Sequence, residues 1–431
     1  MTPQARPRPV FIHAFWRTSS TYIWRKFREQ PQYRAYYEPF SERLTKPKEQ
    51  LVAETPAGRV AQLRHPPIDD FYFAEFPFTE DGRVEFFEKR FSYETYCLDE
   101  TADDEALRRY ISNLIEHAGR RGRQPVLQFN RSLFRAGWLR RNFPNSVNIL
   151  LVRRPADVWK SVLSFTELSF VGVFCIVLGQ NRAKAPLKFL PEWICIPAYA
   201  GATIEDDYVF YKPLTIQNAP KLYPMFYDFF VAATLYAAKF ADCVLDMDEI
   251  STNASARQRA EDGLRECGLP IRLGDCSLPS NPPAGPQERE WLAYEEFART
   301  FLPHFLPRSV SLPYERFLTH RPMLGEYFRN LLLEFTERAS RGALRISEIA
   351  FSGAAANHAE GMHLLRGRRP QLAARKFAHA LRGKPASELW NDWAVAQLQC
   401  GHSLLAELGY RQAREAASPR RAATPSCAPG S

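Results

Sequence analysis

Two apolar runs, each followed at once by a short loop of anion-binding side chains, constrain this chain more than any other feature. The first run is Val10-Phe11-Ile12-His13-Ala14, and the loop after it reads Phe15-Trp16-Arg17-Thr18-Ser19-Ser20-Thr21-Tyr22. The second is Ile149-Leu150-Leu151-Val152, followed by Arg153-Arg154-Pro155-Ala156-Asp157-Val158-Trp159-Lys160-Ser161. Both read as strand, tight loop, then helix: the stretch from Tyr22 to Phe27 carries apolar residues at helical spacing, and Pro155 suits a first helical position. That arrangement offers backbone N–H groups and the positive end of a helix to an anion. Two such units in one domain suit a ligand with phosphate-like groups at both ends.

The side chains fit the same chemistry. Arg17 and the hydroxyls of Thr18, Ser19, Ser20 and Thr21 match tetrahedral oxyanions, and charge-assisted bonds are the strong ones. A single hydroxyl there would be an ordinary N-cap, whereas four behind an arginine exceed that need. In the second unit Asp157 falls in the first helical turn and Ser161 four residues later on the same face. Arg153 and Ser161 are therefore expected to hold one phosphate. A surface ion pair between Arg153 and Asp157 is the plainer alternative. No GxxxxGK[ST] sequence occurs, which disfavours an ordinary ATPase or GTPase.

These segments resemble the PAPS-dependent sulfotransferases. Arg17-Thr18-Ser19-Ser20-Thr21-Tyr22 is similar to the family's 5′-phosphosulfate loop, although Ser19 stands where the family usually has Gly. Gly there allows a positive φ without steric cost, so Ser19 is expected to be strained if that conformation is kept. Arg153, Asp157 and Ser161 reproduce the spacing of the 3′-phosphate motif. Tyr36-Tyr37-Glu38-Pro39-Phe40 resembles the Tyr-Glu-Pro element of the carbohydrate and nodulation-type branch, and Val244 to Ile250 a late strand and turn. The resemblance spans about residues 8 to 275, its specificity concentrated in the first two motifs.

The resemblance implies an α/β fold, a P-loop-like three-layer sandwich with a central parallel sheet, followed by an α-helical C-terminal region. It implies PAPS (3′-phosphoadenosine-5′-phosphosulfate) as cofactor and a hydroxyl or amine acceptor, in particular a carbohydrate. Arg17 would stabilise the leaving phosphate, with Thr18, Ser19, Ser20 and Thr21 around the 5′-phosphate and Tyr22 on the adenine. Arg153 and Ser161 would hold the 3′-phosphate, and Glu38 would be the base. His65 is the rival base, and His13 reads as a core residue. Arg131, ending the strand-like run from Val126, is expected near cofactor or acceptor, while Arg140 and Arg141 read as a solvated helix face. The resemblance implies no metal, and no Cys/His cluster has ligand spacing. The alternatives are an inactive sulfotransferase-fold interaction protein and a small-molecule kinase.

A net charge of +9 over 431 residues suits an anionic cofactor, and no zinc-finger, RRM or recognition-helix pattern argues for nucleic acid. The eight scattered cysteines read as reduced thiols, and no apolar stretch is long enough to span a bilayer, so a cytoplasmic setting is expected. Phe170 to Leu178 reads as a buried helix or strand. Residues 181 to 233 show few periodic elements and read as an insertion forming an acceptor cleft or lid. Its aromatics Trp193, Tyr199, Tyr208, Tyr211, Tyr223 and Tyr227 suit either sugar stacking or core.

The organisation expected is a sulfotransferase domain over 1–278, a linker and helical extension over 279–350, a tetratricopeptide-like helical segment over 351–417 and a disordered tail over 418–431. Gly361, Ala373, Phe377, Ala380 and Pro385 fall at the repeat's small, aromatic and proline positions, which suggests a protein partner or a plain helical hairpin.

Overall fold

The computed structural model describes residues 8–54, 70–164, 169–184, 198–218 and 223–278, then 288–289, 291–292, 357–358, 361–366, 369–381 and 386–417. The apolar runs become a five-stranded sheet: β1 (Val10–His13), β2 (Tyr33–Tyr37), β3 (Gln124–Phe129), β4 (Val147–Val152) and β5 (Cys243–Asp246). Its order is β2-β3-β1-β4-β5, and every neighbouring pair is parallel.

Parallel pairing requires crossovers, which helices supply. They are α1 (Ser20–Arg28) after β1; α2 (Lys48–Ala53) and α3 (Glu105–Gly119) after β2; and α4 (Ala136–Asn142) after β3. Between β4 and β5 lie α5 (Pro155–Leu163), α6 (Ser169–Asn181), α7 (Ile204–Asn218) and α8 (Tyr223–Ala238); α9 (Met247–Thr252) and α10 (Ala254–Glu266) follow β5. The fold is α/β.

Successive side chains of a strand point to opposite faces, and β2 shows which helix covers which. The Tyr36 hydroxyl donates to the Leu114 carbonyl on α3, whereas the Tyr37 hydroxyl pairs with Thr21 on α1. Helices thus cover both faces, and Val10, Phe11 and Ile12 of the central strand are wholly buried. On α1 the buried side chains Ile23, Trp24 and Phe27 follow the helical period.

His13 is likewise buried, its ring bonded to Ser132 Oγ (2.8 Å) and Asn148 Oδ1 (2.9 Å). Asn148 Nδ2 donates to Ser146, so its Oδ1 faces the ring and accepts from Nε2–H. Burial lowers the His13 pKa to about 4, and the ring is neutral at pH 7.

Residues 181 to 233 lie between β4 and β5, and their described part is largely helical where few periodic elements were expected. The stretch carries α7 and most of α8, and α6 ends in its first residue. α6 and α8 are apolar on all sides and buried, so they carry no 3.6-residue alternation to read. Tyr211, Tyr223 and Tyr227 are core residues. Tyr199 is exposed and stacks on Phe210 with centroids 4.1 Å apart. His65 and Trp193 lie outside the described residues.

The described residues form two compact units, the first holding 8–278 and the second the C-terminal helices. In the second, α11 (Pro370–Leu381), α12 (Ser387–Gln399) and α13 (Ser403–Ala417) pack one on the next. A Cβ at Gly361 would stand 2.6 Å from the Phe377 ring, so that contact needs a residue without one. Pro385, the 279–287 run, the whole of 293–356 and the tail from 418 lie outside the described residues. Among the described residues no disulfide forms, and no helix is long and apolar enough to cross a membrane.

Candidate functional site

The carboxyl ends of β1, β2, β3 and β4 converge because all strands run the same way, and the loops leaving them carry nearly every residue singled out above. In open parallel sheets this edge, where the chain leaves β1 and β4 between neighbouring strands, is where ligands bind.

After β1 the chain turns sharply into α1. Arg17 (φ 66°) and Ser19 (φ 64°, ψ 25°) both adopt the left-handed conformation. Thr18 is buried, its hydroxyl donating to the Phe15 carbonyl at 2.8 Å, which ties the turn to itself. Phe15 packs its ring against Phe226, Phe229 and Phe230 of α8, so an apolar helix buttresses the loop. The backbone N–H groups of Thr18, Ser19, Ser20 and Thr21 have no acceptor among the described residues. Successive N–H groups in such a left-handed turn, continued by a helix N-terminus, form an anion-binding concavity.

Ser19 sits at the φ that Gly adopts freely, so the strain foreseen for this residue is present. The left-handed region costs an L-residue about 1–2 kcal/mol, and Gly loses about 0.5–1 kcal/mol more entropy on folding. Ser19→Gly is therefore expected to stabilise the fold by about 0.5–1 kcal/mol. A urea melt would show this as a higher midpoint at unchanged slope; a lower midpoint would mean that the Ser19 side chain itself holds the turn.

The two anion-binding segments meet. Arg17 Nε donates to Ser161 Oγ at 3.0 Å across 144 positions of sequence, and Arg153 Nη1 donates to the Arg17 carbonyl at 3.2 Å. Arg153 pairs with Asp248 at 3.1 Å rather than with Asp157, which instead binds Arg154 and Lys160. Asp248 also accepts from the Arg154 N–H at 2.7 Å. A protein carboxylate thus answers part of the α5 N-terminus, where the sequence pattern had suggested room for an anion. Arg153 is 6 % exposed, which keeps its guanidinium at the site.

Glu38 follows β2 at φ 42°, a third positive φ at the same edge. Asn130 Nδ2 donates to its Oε1 at 2.5 Å and Arg131 Nη1 to its Oε2 at 2.5 Å. Ser20 Oγ donates to Asn130 Oδ1 at 2.8 Å, linking Glu38 back to the first loop. Arg131 also binds Glu42, four residues beyond Glu38, and lies over the rings of Trp16 and Tyr93. Burial pushes the Glu42 carboxyl up, but the Arg131 guanidinium, with Arg43 beyond it, outweighs that and holds its pKa below the ordinary value. Tyr208 of α7 donates to Glu42 at 3.4 Å.

The Thr21 hydroxyl pairs with the Tyr37 hydroxyl at 3.2 Å, and Tyr22 donates its hydroxyl to Asp275 at 2.8 Å beneath Lys26. Tyr22 therefore has partners separate from those of Arg17, Ser20 and Glu38. Arg140, read as solvated, binds Asp242 at 2.5 Å and the Ser146 carbonyl, while Arg141 is exposed. Sequence reasoning gives no role to Asn130 or Glu42, reads Tyr208 only as one aromatic among several, and reads Asp248 only as part of a late strand and turn. For Asn130 the available signal was its place beside Arg131 at a strand end; Glu42 carries none.

Chemically, the edge combines an N–H cradle, the arginines Arg17, Arg131 and Arg153, buried hydroxyls and the carboxylates of Glu38, Glu42 and Asp248. That set can bind an anionic group and take up a proton. Comparison with protein-family models, with curated proteins and with solved structures finds no match to this chain.

Proposed function

We propose that this protein is a PAPS-dependent sulfotransferase with a P-loop-like sheet, moving a sulfuryl group to a hydroxyl or amine, in particular of a carbohydrate. The observation that carries this reading is the junction of Arg17 with Ser161 beside four unanswered N–H groups. It brings together the two motifs that in sulfotransferases hold opposite ends of the donor. The strand order, with the first strand central, supports the P-loop-like assignment.

The donor fits the residues present. Its 5′-phosphate suits the N–H cradle with Ser20 and Thr21, and its 3′-phosphate suits Arg153 and Ser161. Sulfuryl transfer is an in-line displacement: the acceptor oxygen bonds to sulfur as the bond from sulfur to the phosphate oxygen breaks. The electron pair stays on that oxygen, where Arg17 stabilises it, and the acceptor's proton passes to Glu38. Positioning and charge stabilisation do the rest, as in phosphoryl transfer. The Tyr-Glu-Pro element around Glu38 is what favours a carbohydrate acceptor.

Calorimetry with adenosine 3′,5′-bisphosphate, the desulfated product, tests the assignment against ADP. Wild type is expected to bind the bisphosphate and to prefer it to ADP. Arg153→Ala is expected to weaken it about 10- to 100-fold, the loss of charge-assisted bonds. A preference for ADP, or no binding, overturns the reading.

A further inference from the structure

Asn130 occupies a singular place at this site. Its side chain is 94 % buried and its amide is fully oriented: Oδ1 accepts from Ser20 Oγ (2.8 Å) and Gln128 Nε2 (2.9 Å), while Nδ2 donates to Glu38 Oε1 (2.5 Å). One amide therefore joins the hydroxyl assigned to the 5′-phosphate with the carboxylate assigned as base. Neither neighbour has slack. Ser20 is 4 % exposed, and Glu38 is pinned on its other oxygen by Arg131, which Glu42 holds from the far side.

We propose that Asn130 is a positioning residue that engages the Ser20 hydroxyl until the donor binds and passes the exchange on to Glu38. The inference rests on the sulfotransferase reading, and its logic is the proton count of a serine. A hydroxyl has one proton to donate, and phosphate oxygens are acceptors. Ser20 cannot donate to Asn130 and to the 5′-phosphate at once. Donor binding therefore breaks the bond between Ser20 and Asn130, and Asn130 competes with the donor for that proton. Hydrogen bonds in a buried chain polarise one another, so an Asn130 carbonyl relieved of Ser20 makes a weaker donor of its own amide. Glu38 is then held less firmly by Asn130, which eases its turn to the acceptor's proton once the donor is in place.

The sign of the first effect is unusual for a buried residue. Asn130→Ala frees the Ser20 hydroxyl and is expected to tighten binding of adenosine 3′,5′-bisphosphate about fivefold, one net hydrogen bond. Added to Ser20→Ala the same substitution is expected to change nothing, and added to Ser20→Thr, which keeps a hydroxyl, to restore the gain. Glu38→Gln also tightens binding, and about twofold of that gain is expected to vanish with Ser20→Ala, the mark of coupling through Asn130. Structural damage alone weakens binding and leaves no such pattern.

The experiment is calorimetric titration of the full chain with the bisphosphate across these variants. Weakened or unchanged binding by a folded Asn130→Ala overturns the inference and leaves the sulfotransferase reading standing. Where Asn130→Ala does not fold, Asn130→Asp decides: its carboxylate grips the hydroxyl harder, so its weakening must shrink when Ser20→Ala is added. Equal weakening in both backgrounds overturns the inference. Failure of wild type to bind the bisphosphate overturns the sulfotransferase reading and this inference together.

Discussion

On the sulfotransferase reading proposed above, Glu38→Gln is expected to lower sulfuryl transfer about 10²–10⁴-fold, the usual contribution of a positioned general base. Product formation from radiolabelled donor and an oligosaccharide acceptor panel would measure it. Gln keeps the shape of the side chain and an oxygen for Asn130, but it cannot take the acceptor's proton. Because the donor is assigned to Arg17, Ser20, Thr21, Arg153 and Ser161, the bisphosphate should still bind. Turnover lost with binding kept is the signature of a group used in the transition state alone. A Glu38→Gln enzyme that turns over at the wild-type rate would remove the carboxylate from the mechanism. A variant that also loses bisphosphate binding would make Glu38 a structural support of the loop.

The parts of this site that could be read from sequence are the local ones. Val10 to His13 and Val147 to Val152 are short apolar runs, and both are strands because burial on two faces suits them. Arg17 and Ser20 could be picked out because hydroxyls and a cation crowd one helix start. Their partners could not be read locally, since Ser161 and Asn130 reach them only through the order in which β3 and β4 flank β1. For the same reason the ion pair of Arg153 with nearby Asp157, the plainer alternative that the sequence offers, does not form, and a residue after β5 supplies the carboxylate. Ser19 shows the converse: its departure from Gly was visible, and the strain it implies follows from the turn itself. Phe170 to Leu178 could be read as buried but not as helix rather than strand, and α8 could not be read as a helix, because uniform apolarity leaves no period to read.

Arg131→Met is expected to destabilise the fold by about 3–5 kcal/mol, the cost of stranding buried charge rather than the worth of the pair. Arg131 is 3 % exposed and bridges two carboxylates, Glu38 and Glu42, whose side chains are only 12 % and 15 % exposed. Removing it leaves both acids without their shared cation and takes a guanidinium from the faces of Trp16 and Tyr93. The pH dependence separates this cause from lost packing. In wild type Arg131 holds the Glu42 pKa below its ordinary value against burial, so that pairing contributes stability at neutral pH and loses it as pH falls through the folded pKa. In Arg131→Met burial is opposed only by Arg43 and by hydrogen bonds to the carboxylate, and the acid is relieved by taking a proton. The gap between the two proteins should therefore be widest near pH 7 and narrow steadily toward pH 4. Urea midpoints across that range would show it, and adding Glu38→Gln and Glu42→Gln to Arg131→Met should recover much of the loss at pH 7 by removing the stranded charges. A gap that stays constant with pH, or a triple variant no more stable than Arg131→Met, would assign the arginine to packing and leave the carboxylate pair out of the stability of the site.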